Sequence, residues 1–286
     1  EKIVLRVLDK GNLSIGLDKL GFSPEPLRIF KEAITKPFGM LLVTGPTGSG
    51  KSTTLYSVLN QLNTPERNIV TIEDPVEYQL EGITQIQVKP DIKLDFATAL
   101  RSVLRQSPDV IMVGEIRDAE TADIAIKASL TGQLFLSTLH TNDSLSSITR
   151  IIDMGVEPFL VASSLVMVCA QRLARRMCPN CKTSITVSDE YLKEIGFPLG
   201  EKVTFYKSKG CKHCNNTGFY GRIAILEAIL IDDHLREMIM KQQSLDAVKA
   251  YALETLKMKT LRDDVFIKIK EGLITLDESL RITTEE

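Results

Sequence analysis

A short segment near the start of the chain constrains its fold more than any other feature. It consists of Gly45, Pro46, Thr47, Gly48, Ser49, Gly50, Lys51 and Ser52, and it matches G-x-x-x-x-G-K-[ST] at every position. It follows the apolar run 40–44 and precedes a helical pattern, which is the context that a phosphate-binding loop requires. Glycines in such a loop let backbone N–H groups face phosphate oxygens. The segment predicts binding of a nucleoside triphosphate.

Two side chains at the end of this loop have specific expected roles. Lys51 is expected to reach the β- and γ-phosphates, and Ser52 is expected to bind Mg²⁺. The predicted nucleotide-binding segment extends to Thr53. The alternative, a glycine-rich turn that matches by chance, is disfavoured by the strand and helix patterns on either side.

The pattern around this loop predicts an α/β fold. Helices are predicted at 24–36, 51–62, 95–106, 119–130, 144–154 and 158–172, and apolar runs of strand length lie at 40–44, 68–72, 110–113 and 134–139. Asp118 is a candidate N-cap for the fourth helix. Continuous apolar strands that alternate with helices indicate a mostly parallel sheet with both faces covered.

Acidic residues follow two of the predicted strands. Glu115 follows the run 110–113, and Glu73, Asp74 and Glu77 come at the end of the run 68–72. Ligands of parallel sheets bind at the carboxyl ends of the strands, so these carboxylates are candidates for holding Mg²⁺ or polarising an attacking water. The alternatives are a surface glutamate at a strand end and an acidic turn set by Pro75.

One histidine and several arginines are weaker candidates. His140 follows the run 134–139, where it could contact the γ-phosphate side or be structural. Arg101 and Arg105 lie one helical turn apart and could balance phosphate charge, in their own subunit or from a neighbouring one. Arg117 could also balance phosphate charge. For all three arginines the alternative is a solvated side chain on the surface.

Four of the five cysteines form two C-x-x-C pairs. Cys178, Cys181, Cys211 and Cys214 have the spacing C-x₂-C-x₂₉-C-x₂-C, which suits a closed tetrahedral Zn²⁺ site. The 29 intervening residues predict a small folded insert. A redox pair and free buried thiols are the alternatives, and His213 is a possible substitute ligand. Cys169 lies in an apolar run and is expected in the core.

Charge and hydropathy narrow the classes of function. With 35 Lys plus Arg and 37 Asp plus Glu, the formal net charge is −2, which argues against a general nucleic-acid binder. No apolar stretch approaches the roughly 18 residues of a membrane span, so no transmembrane segment is predicted. The β-like run 2–8 and the absence of an initial Met suggest that the sequence is part of a longer protein.

Together these motifs resemble the secretion-superfamily ATPases, the hexameric motors of type II secretion and type IV pilus assembly. The segments that carry the resemblance are 45–56, 71–78, 99–118, 131–142 and 261–278, in the order of the family. The cysteine pairs favour secretion or pilus extension over retraction, because retraction motors typically lack them.

The resemblance implies a RecA-like P-loop ATPase core with a small Cys₄ zinc subdomain and a C-terminal helical region. The implied divisions are 1–20 (the tail of a preceding domain plus a linker), 21–172 (core), 173–221 (zinc subdomain) and 222–286 (return to the core, then helices). ATP, Mg²⁺ and Zn²⁺ are the implied cofactors. The implied partners are further copies of the chain in a homohexamer, an inner-membrane platform protein and the cytoplasmic part of a membrane-anchor protein. The location would be cytoplasmic, peripheral at the inner membrane face.

The resemblance also implies roles for individual residues. Glu115 would be the Walker B acid, and Glu73 or Glu77, preferably Glu77, would position or activate water. His140 would couple the nucleotide state to the subunit boundary. The residues expected near the nucleotide or the subunit interface are Arg101, Arg105 and Arg6, of which Arg6 would swing in from the preceding domain.

Two other functions are compatible with the same core. A nucleic-acid translocase or helicase shares it, but the net charge and the lack of interleaved aromatic and basic residues argue against that function. A nucleotide-dependent interaction module with little turnover is the second alternative. The presence of Lys51, Glu77 and Glu115 together argues against it.

Overall fold

The computed structural model describes residues 2–3, 16–198 and 202–283. Arg6 and most of the predicted strand 2–8 lie outside the described residues. Leu17, in the segment interpreted as a linker, is only 1% exposed and packs in the core against the helix at 51–62. None of the helices in the described ranges has both the length and the apolar character needed to cross a membrane.

The described residues form nine strands and eleven α-helices. The strands are β1 (Gly39–Thr44), β2 (Ile69–Glu73), β3 (Thr84–Gln87), β4 (Val110–Val113), β5 (Leu134–Leu139), β6 (Leu165–Met177), β7 (Lys182–Ile185), β8 (Phe205–Ser208) and β9 (Phe219–Leu230). The helices are α1 (Pro24–Ala33), α2 (Lys51–Leu62), α3 (Phe96–Val103), α4 (Ala119–Leu130), α5 (Ser146–Asp153), α6 (Pro158–Ser164), α7 (Asp189–Glu194), α8 (Asp233–Met240), α9 (Leu245–Glu254), α10 (Leu261–Lys270) and α11 (Leu276–Thr283).

Seven strands form one sheet in the order β3-β2-β4-β5-β1-β6-β9. All of its pairings are parallel except that of β6 with β9. One face packs on α1 and α2, and the other packs on a layer that includes α3 to α6. Every residue of β1, β2, β4 and β5 is buried, as expected for strands covered on both faces. The predicted α/β class is therefore confirmed.

The local signals explain where several helices begin. Asp118 caps α4, because its side chain accepts the backbone N–H of Thr121 at 2.8 Å, as predicted. Asp95 caps α3 in the same way through Thr98. The loops that follow the carboxyl ends of β1, β4 and β5 form the candidate site.

The predicted helix 158–172 is wrong in its second half. α6 ends at Ser164, and Leu165 begins β6, a strand that pairs with β1 on one side and β9 on the other. Both of its faces are covered, so its first half is continuously apolar and periodicity alone does not distinguish it from a buried helix. β3 also lay in a region without a predicted element.

Beyond the sheet, β6 and β9 continue as a two-stranded antiparallel ribbon. Their ladder runs from the pair Met167–Leu230 to the pair Met177–Phe219, with a register shift between Arg175 and Met177. The chain between them contains the β7–β8 pair and α7. This insert packs on α10, where the Phe197 and Phe266 rings lie 4.9 Å apart.

Candidate functional site

The candidate site is a cleft of about 710 Å³ at the carboxyl ends of β1, β2, β4 and β5. The predicted residues that line it are Thr47, Gly48, Ser49, Gly50, Lys51, Ser52, Thr53, Glu73, Glu77, Glu115 and His140. Asp74, Arg117 and Arg222 line it as well. The topology therefore brings the phosphate-binding motif and the acidic motifs to one place.

The loop between β1 and α2 needs glycine where it touches β6. Gly45 and Gly50 have φ angles of +141° and +90°. A Cβ on Gly50 would lie 2.8 Å from the Gln171 amide nitrogen, which donates to the Ser49 carbonyl at 2.9 Å. The Gln171 oxygen accepts the Thr54 hydroxyl at 2.8 Å. A single buried amide on β6 thus fixes both the loop and the first turn of α2.

Gln171 was missed by the sequence reasoning, because it lies in the segment that was assigned to a helix. Its signal would have been a polar residue within an apolar strand that pairs with the strand before the loop. Arg222 was missed for a related reason. It stands on β9, just before the apolar run 223–226, and only the antiparallel return of β9 brings it to the cleft.

Lys51 is buried at the start of α2. Its Nζ donates to the Gly45 carbonyl at 2.7 Å and the Pro46 carbonyl at 3.0 Å, so the loop is closed around the ammonium group. Burial lowers the pKa of Lys51, and the negative charge of Glu115 opposes that effect. Ser49 Oγ is buried and has no hydrogen-bond partner among the described residues. An unsatisfied buried hydroxyl beside a buried ammonium group fits a loop built to receive anionic oxygens.

Glu73 and Glu77 differ in exposure and in their hydrogen bonds. Glu73 is 4% exposed, and its carboxylate accepts hydrogen bonds from Tyr56, from Thr71 Oγ1 at 2.5 Å and from Gln85 Nε2 at 3.1 Å. Glu77 is partly exposed on the wall of the cleft, and its backbone N–H donates to the Tyr56 hydroxyl at 3.3 Å. Glu73 therefore has a satisfied carboxylate, whereas Glu77 faces the cleft from a held backbone.

Glu115 lies between the Arg117 guanidinium group and the His140 imidazole ring. Arg117 donates to one of its oxygens, and His140 Nε2 lies 3.1 Å from the other. Burial raises the pKa of the Glu115 carboxyl, but Arg117 and His140 offset this effect and hold the pKa below its usual value. Arg117 also contacts Asp74 at 3.2 Å, so the acids that follow β2 and β4 share one arginine. Glu115 is thus kept ionised at the edge of the cleft.

Two predicted arginines in the described part of the chain, Arg101 and Arg105, are not among the residues that line the cleft. Arg101 is exposed and forms an ion pair with Glu120 on α4. Arg105 is exposed on the short 3₁₀ helix that follows α3. Their role near the nucleotide or a subunit interface stays a prediction.

The four predicted metal ligands converge at the far end of the β6–β9 ribbon. The sulfurs of Cys178, Cys181, Cys211 and Cys214 all lie within 4.8 Å of one another. Backbone N–H groups of Cys211 and Gly218 point at the Cys214 sulfur at 3.2 and 3.3 Å. This donor set fits tetrahedral Zn²⁺, which thiolates bind in closed structural sites.

The other sulfur and imidazole candidates have different surroundings. His213 is outside the cluster, and its ring lies 4.2 Å from that of Tyr220. Cys169 is fully buried in the sheet, as predicted for a core thiol. The alternative in which His213 replaces a cysteine ligand is not supported.

Comparisons with known proteins agree with this geometry. The sequence model of the family described as "Type II/IV secretion system protein" matches residues 1–281. The type IV pilus assembly ATPase PilB of Myxococcus xanthus is 52% identical over 281 residues, which cover 97% of this chain and 50% of the relative. Type II secretion system protein E of Dickeya dadantii is 48% identical over 286 residues, which cover 100% of this chain and 57% of the relative. The chain therefore spans about half the length of the curated relatives it matches.

A solved structure provides an independent comparison. The crystal structure of the pilus retraction motor PilT with bound ADP superposes with a TM-score of 0.72 at 30% sequence identity. The match covers 97% of this chain and 69% of that chain. The ATPase DotB of Legionella pneumophila, at 23% identity and a TM-score of 0.68, shares the fold.

Proposed function

This chain belongs to the family of type II/IV secretion system proteins, and on that premise we propose that it hydrolyses ATP to drive type II protein secretion or type IV pilus assembly. One observation carries the proposal. The loop with Lys51 and the acids Glu77 and Glu115 line a single cleft, although they are far apart in sequence. Phosphoryl transfer needs positioned charges more than covalent chemistry, and this cleft supplies them.

The phosphates of ATP would lie against the loop 45–53, with Lys51 at the β- and γ-phosphates. Ser52 and Glu115 would hold Mg²⁺, whose charge neutralises the phosphate oxygens when it is bound. Glu77 would orient the attacking water. We assign this role to Glu77 and not to Glu73, because three hydrogen bonds already occupy the Glu73 carboxylate. His140, in contact with Glu115, would relay the nucleotide state to the subunit boundary.

We further propose that the motor is a homohexamer. Arg101 and Arg105 lie on the outside of the subunit, so they would act on a nucleotide only from a neighbouring subunit. Arg6 would reach the nucleotide from the preceding domain. Closure of the cleft would then move domains around a ring, and the motion would pass to an inner-membrane platform protein and to the cytoplasmic part of a membrane-anchor protein. The protein would be cytoplasmic and peripheral at the inner membrane.

The domain organisation is also part of the proposal. A tail and linker at 1–20 would precede the core at 21–172. A zinc subdomain would follow at 173–221, with Cys178, Cys181, Cys211 and Cys214 as its structural ligands, and then 222–286. The zinc subdomain favours secretion or pilus extension over retraction.

Steady-state phosphate release by the full-length protein tests the proposed activity. Lys51→Ala is expected to lower the rate at least about 100-fold, because it removes the buried charge that faces the phosphates. The matched control is Lys36→Ala, which changes an exposed lysine just before β1, at the end of the strand away from the loop. This variant should keep the parent rate. Equal rates for Lys51→Ala and the parent would rule out this function.

The same assay separates the alternatives. A rate that rises steeply with protein concentration would support catalysis completed between subunits. Stimulation by DNA or RNA would favour a nucleic-acid translocase instead. A parent rate no higher than that of Lys51→Ala, with ATP still bound, would indicate an interaction module.

A further inference from the structure

Tyr56 connects the phosphate-binding helix to the acidic segment. It lies on α2, five residues after Lys51, and is 1% exposed. Its hydroxyl donates to the Glu73 carboxylate and accepts the backbone N–H of Glu77 at 3.3 Å. One side chain on the helix that follows the loop thus contacts both ends of the segment 73–77.

The acidic segment is held from its other side by β3. The Gln85 amide donates to Glu73 at 3.1 Å and to the Tyr78 carbonyl at 3.2 Å, and its oxygen accepts the Leu80 N–H at 2.7 Å. These bonds fix the segment 73–80 to the sheet. Among the hydrogen bonds named here, those of the Tyr56 hydroxyl connect the segment to α2.

We propose that Tyr56 is a positioning residue that sets the place of Glu77 relative to the phosphate-binding loop. The proposal rests on the proposed ATPase function and names a residue through which that site is assembled. Tyr56 lines the cleft, and its hydroxyl contacts the acidic segment. It acts through two hydrogen bonds to the acidic segment, and its effect is on the turnover step.

The hydroxyl and the ring of Tyr56 make separable contributions. The ring packs edge-on against Tyr78, with centroids 4.5 Å apart, and phenylalanine would preserve that contact. Burial and the neighbouring Glu73 raise the pKa of Tyr56 well above its usual value, so the hydroxyl keeps its proton for donation. A phenylalanine at this position therefore removes the link and leaves the packing.

The test uses full-length protein and compares parent, Lys51→Ala and Tyr56→Phe. Tyr56→Phe is expected to lower kcat about 10- to 100-fold, as for loss of a positioned catalytic group. KM for ATP and the dissociation constant for ADP should change less than about threefold, because the loop is held by Gln171. The matched control is Tyr251→Phe, which also removes a tyrosine–carboxylate hydrogen bond, to Asp232 at 2.7 Å, outside the cleft. It should keep the parent kcat.

A double-mutant cycle with Glu73→Gln separates positioning from general destabilisation. The glutamine oxygen cannot receive all three donors to Glu73, but it can receive the two that remain in Tyr56→Phe. Glu73→Gln should therefore reduce kcat less in the Tyr56→Phe background than in the parent. An unchanged kcat in Tyr56→Phe, equal losses in kcat and ADP affinity, or additive effects in the cycle would overturn the proposal. A parent rate equal to that of Lys51→Ala would overturn the proposed function as well.

Discussion

His140 Nε2 lies 3.1 Å from a carboxylate oxygen of Glu115, and the two residues follow neighbouring strands of the sheet. Val113 of β4 pairs with Ser137 of β5, so the parallel register places both strand ends at the same level. Arg117 approaches the second oxygen of Glu115. The carboxylate proposed to hold Mg²⁺ is thus oriented before a nucleotide enters.

Neutralising Glu115 is expected to stop hydrolysis and spare binding. Glu115→Gln keeps the shape of the side chain but removes the negative charge that interacts with Lys51 and that we propose holds Mg²⁺. We expect kcat to fall about 100-fold or more, with ADP affinity within about tenfold of the parent. Phosphate release and calorimetric titration with ADP measure the two quantities. Glu237→Gln, an exposed acid paired with Lys241 on α8, is the control. A Glu115→Gln protein with the parent kcat would exclude this role.

Removal of the metal is expected to destabilise the insert between β6 and β9 and to leave the cleft folded. Metal analysis of the protein should find about one zinc per chain, and Cys178→Ser should reduce it. The segment 173–221 should then become sensitive to proteolysis, because thiolate–metal bonds supply much of the folding energy of such sites. Cys169→Ala is the matched control, since this buried thiol lies outside the cluster and the variant should keep its zinc. Full zinc content in Cys178→Ser would contradict the assignment.

The docking of α11 is expected to weaken in acid. The Glu278 side chain is 1% exposed and accepts hydrogen bonds from Arg175 at 2.7 Å and Arg281 at 2.7 Å. Burial raises the pKa of Glu278, but these arginines outweigh burial and hold it below the usual 4.5. The stabilisation is therefore present above pH 4.5, its value in the unfolded chain, and is lost as the pH falls through the lower folded value.

Thermal unfolding across pH measures this contribution. At pH 7, Glu278→Gln should lower the free energy of unfolding by about 1.5–3 kcal/mol, as expected for the loss of hydrogen bonds to a charged group. The difference in Tm from the parent should shrink as the pH falls below about 4.5, because the parent carboxylate becomes protonated. Glu271→Gln, an exposed acid near the end of α10, is the control. A Tm difference that does not depend on pH would contradict the assignment to Glu278.

Much of the fold could be predicted because its signals are local. The loop 45–52, the cap at Asp118 and the buried runs of β1, β2, β4 and β5 depend only on neighbouring residues. β6 could not be recognised in the same way. Its strand state depends on β1 and β9, which lie far away in sequence, so its apolar run was consistent with a helix.

The same difference between local signals and contacts over long sequence distances applies to the residues of the candidate site. Lys51 begins α2, and Glu77, Glu115 and His140 follow strands of the sheet, so all four lie within motifs that the sequence displays. Gln171 and Tyr56 instead act through contacts across the fold, in the interior of a strand and of a helix. Gln171 lies within an apolar run and Tyr56 within a helix, and only the hydrogen bonds to Ser49 and Glu73 reveal what their polar atoms contact.

The β6 strand carries Gln171 at the phosphate-binding loop and leads into Cys178 at the thiolate cluster. Seven residues of extended chain span about 23 Å, so a single stretch of backbone joins two sites that lie about this far apart. The register shift between Arg175 and Met177 interrupts the ladder close to the cluster. The pairing of β6 with β9 is therefore regular beside the cleft, and it changes register only where the strand approaches the four cysteines.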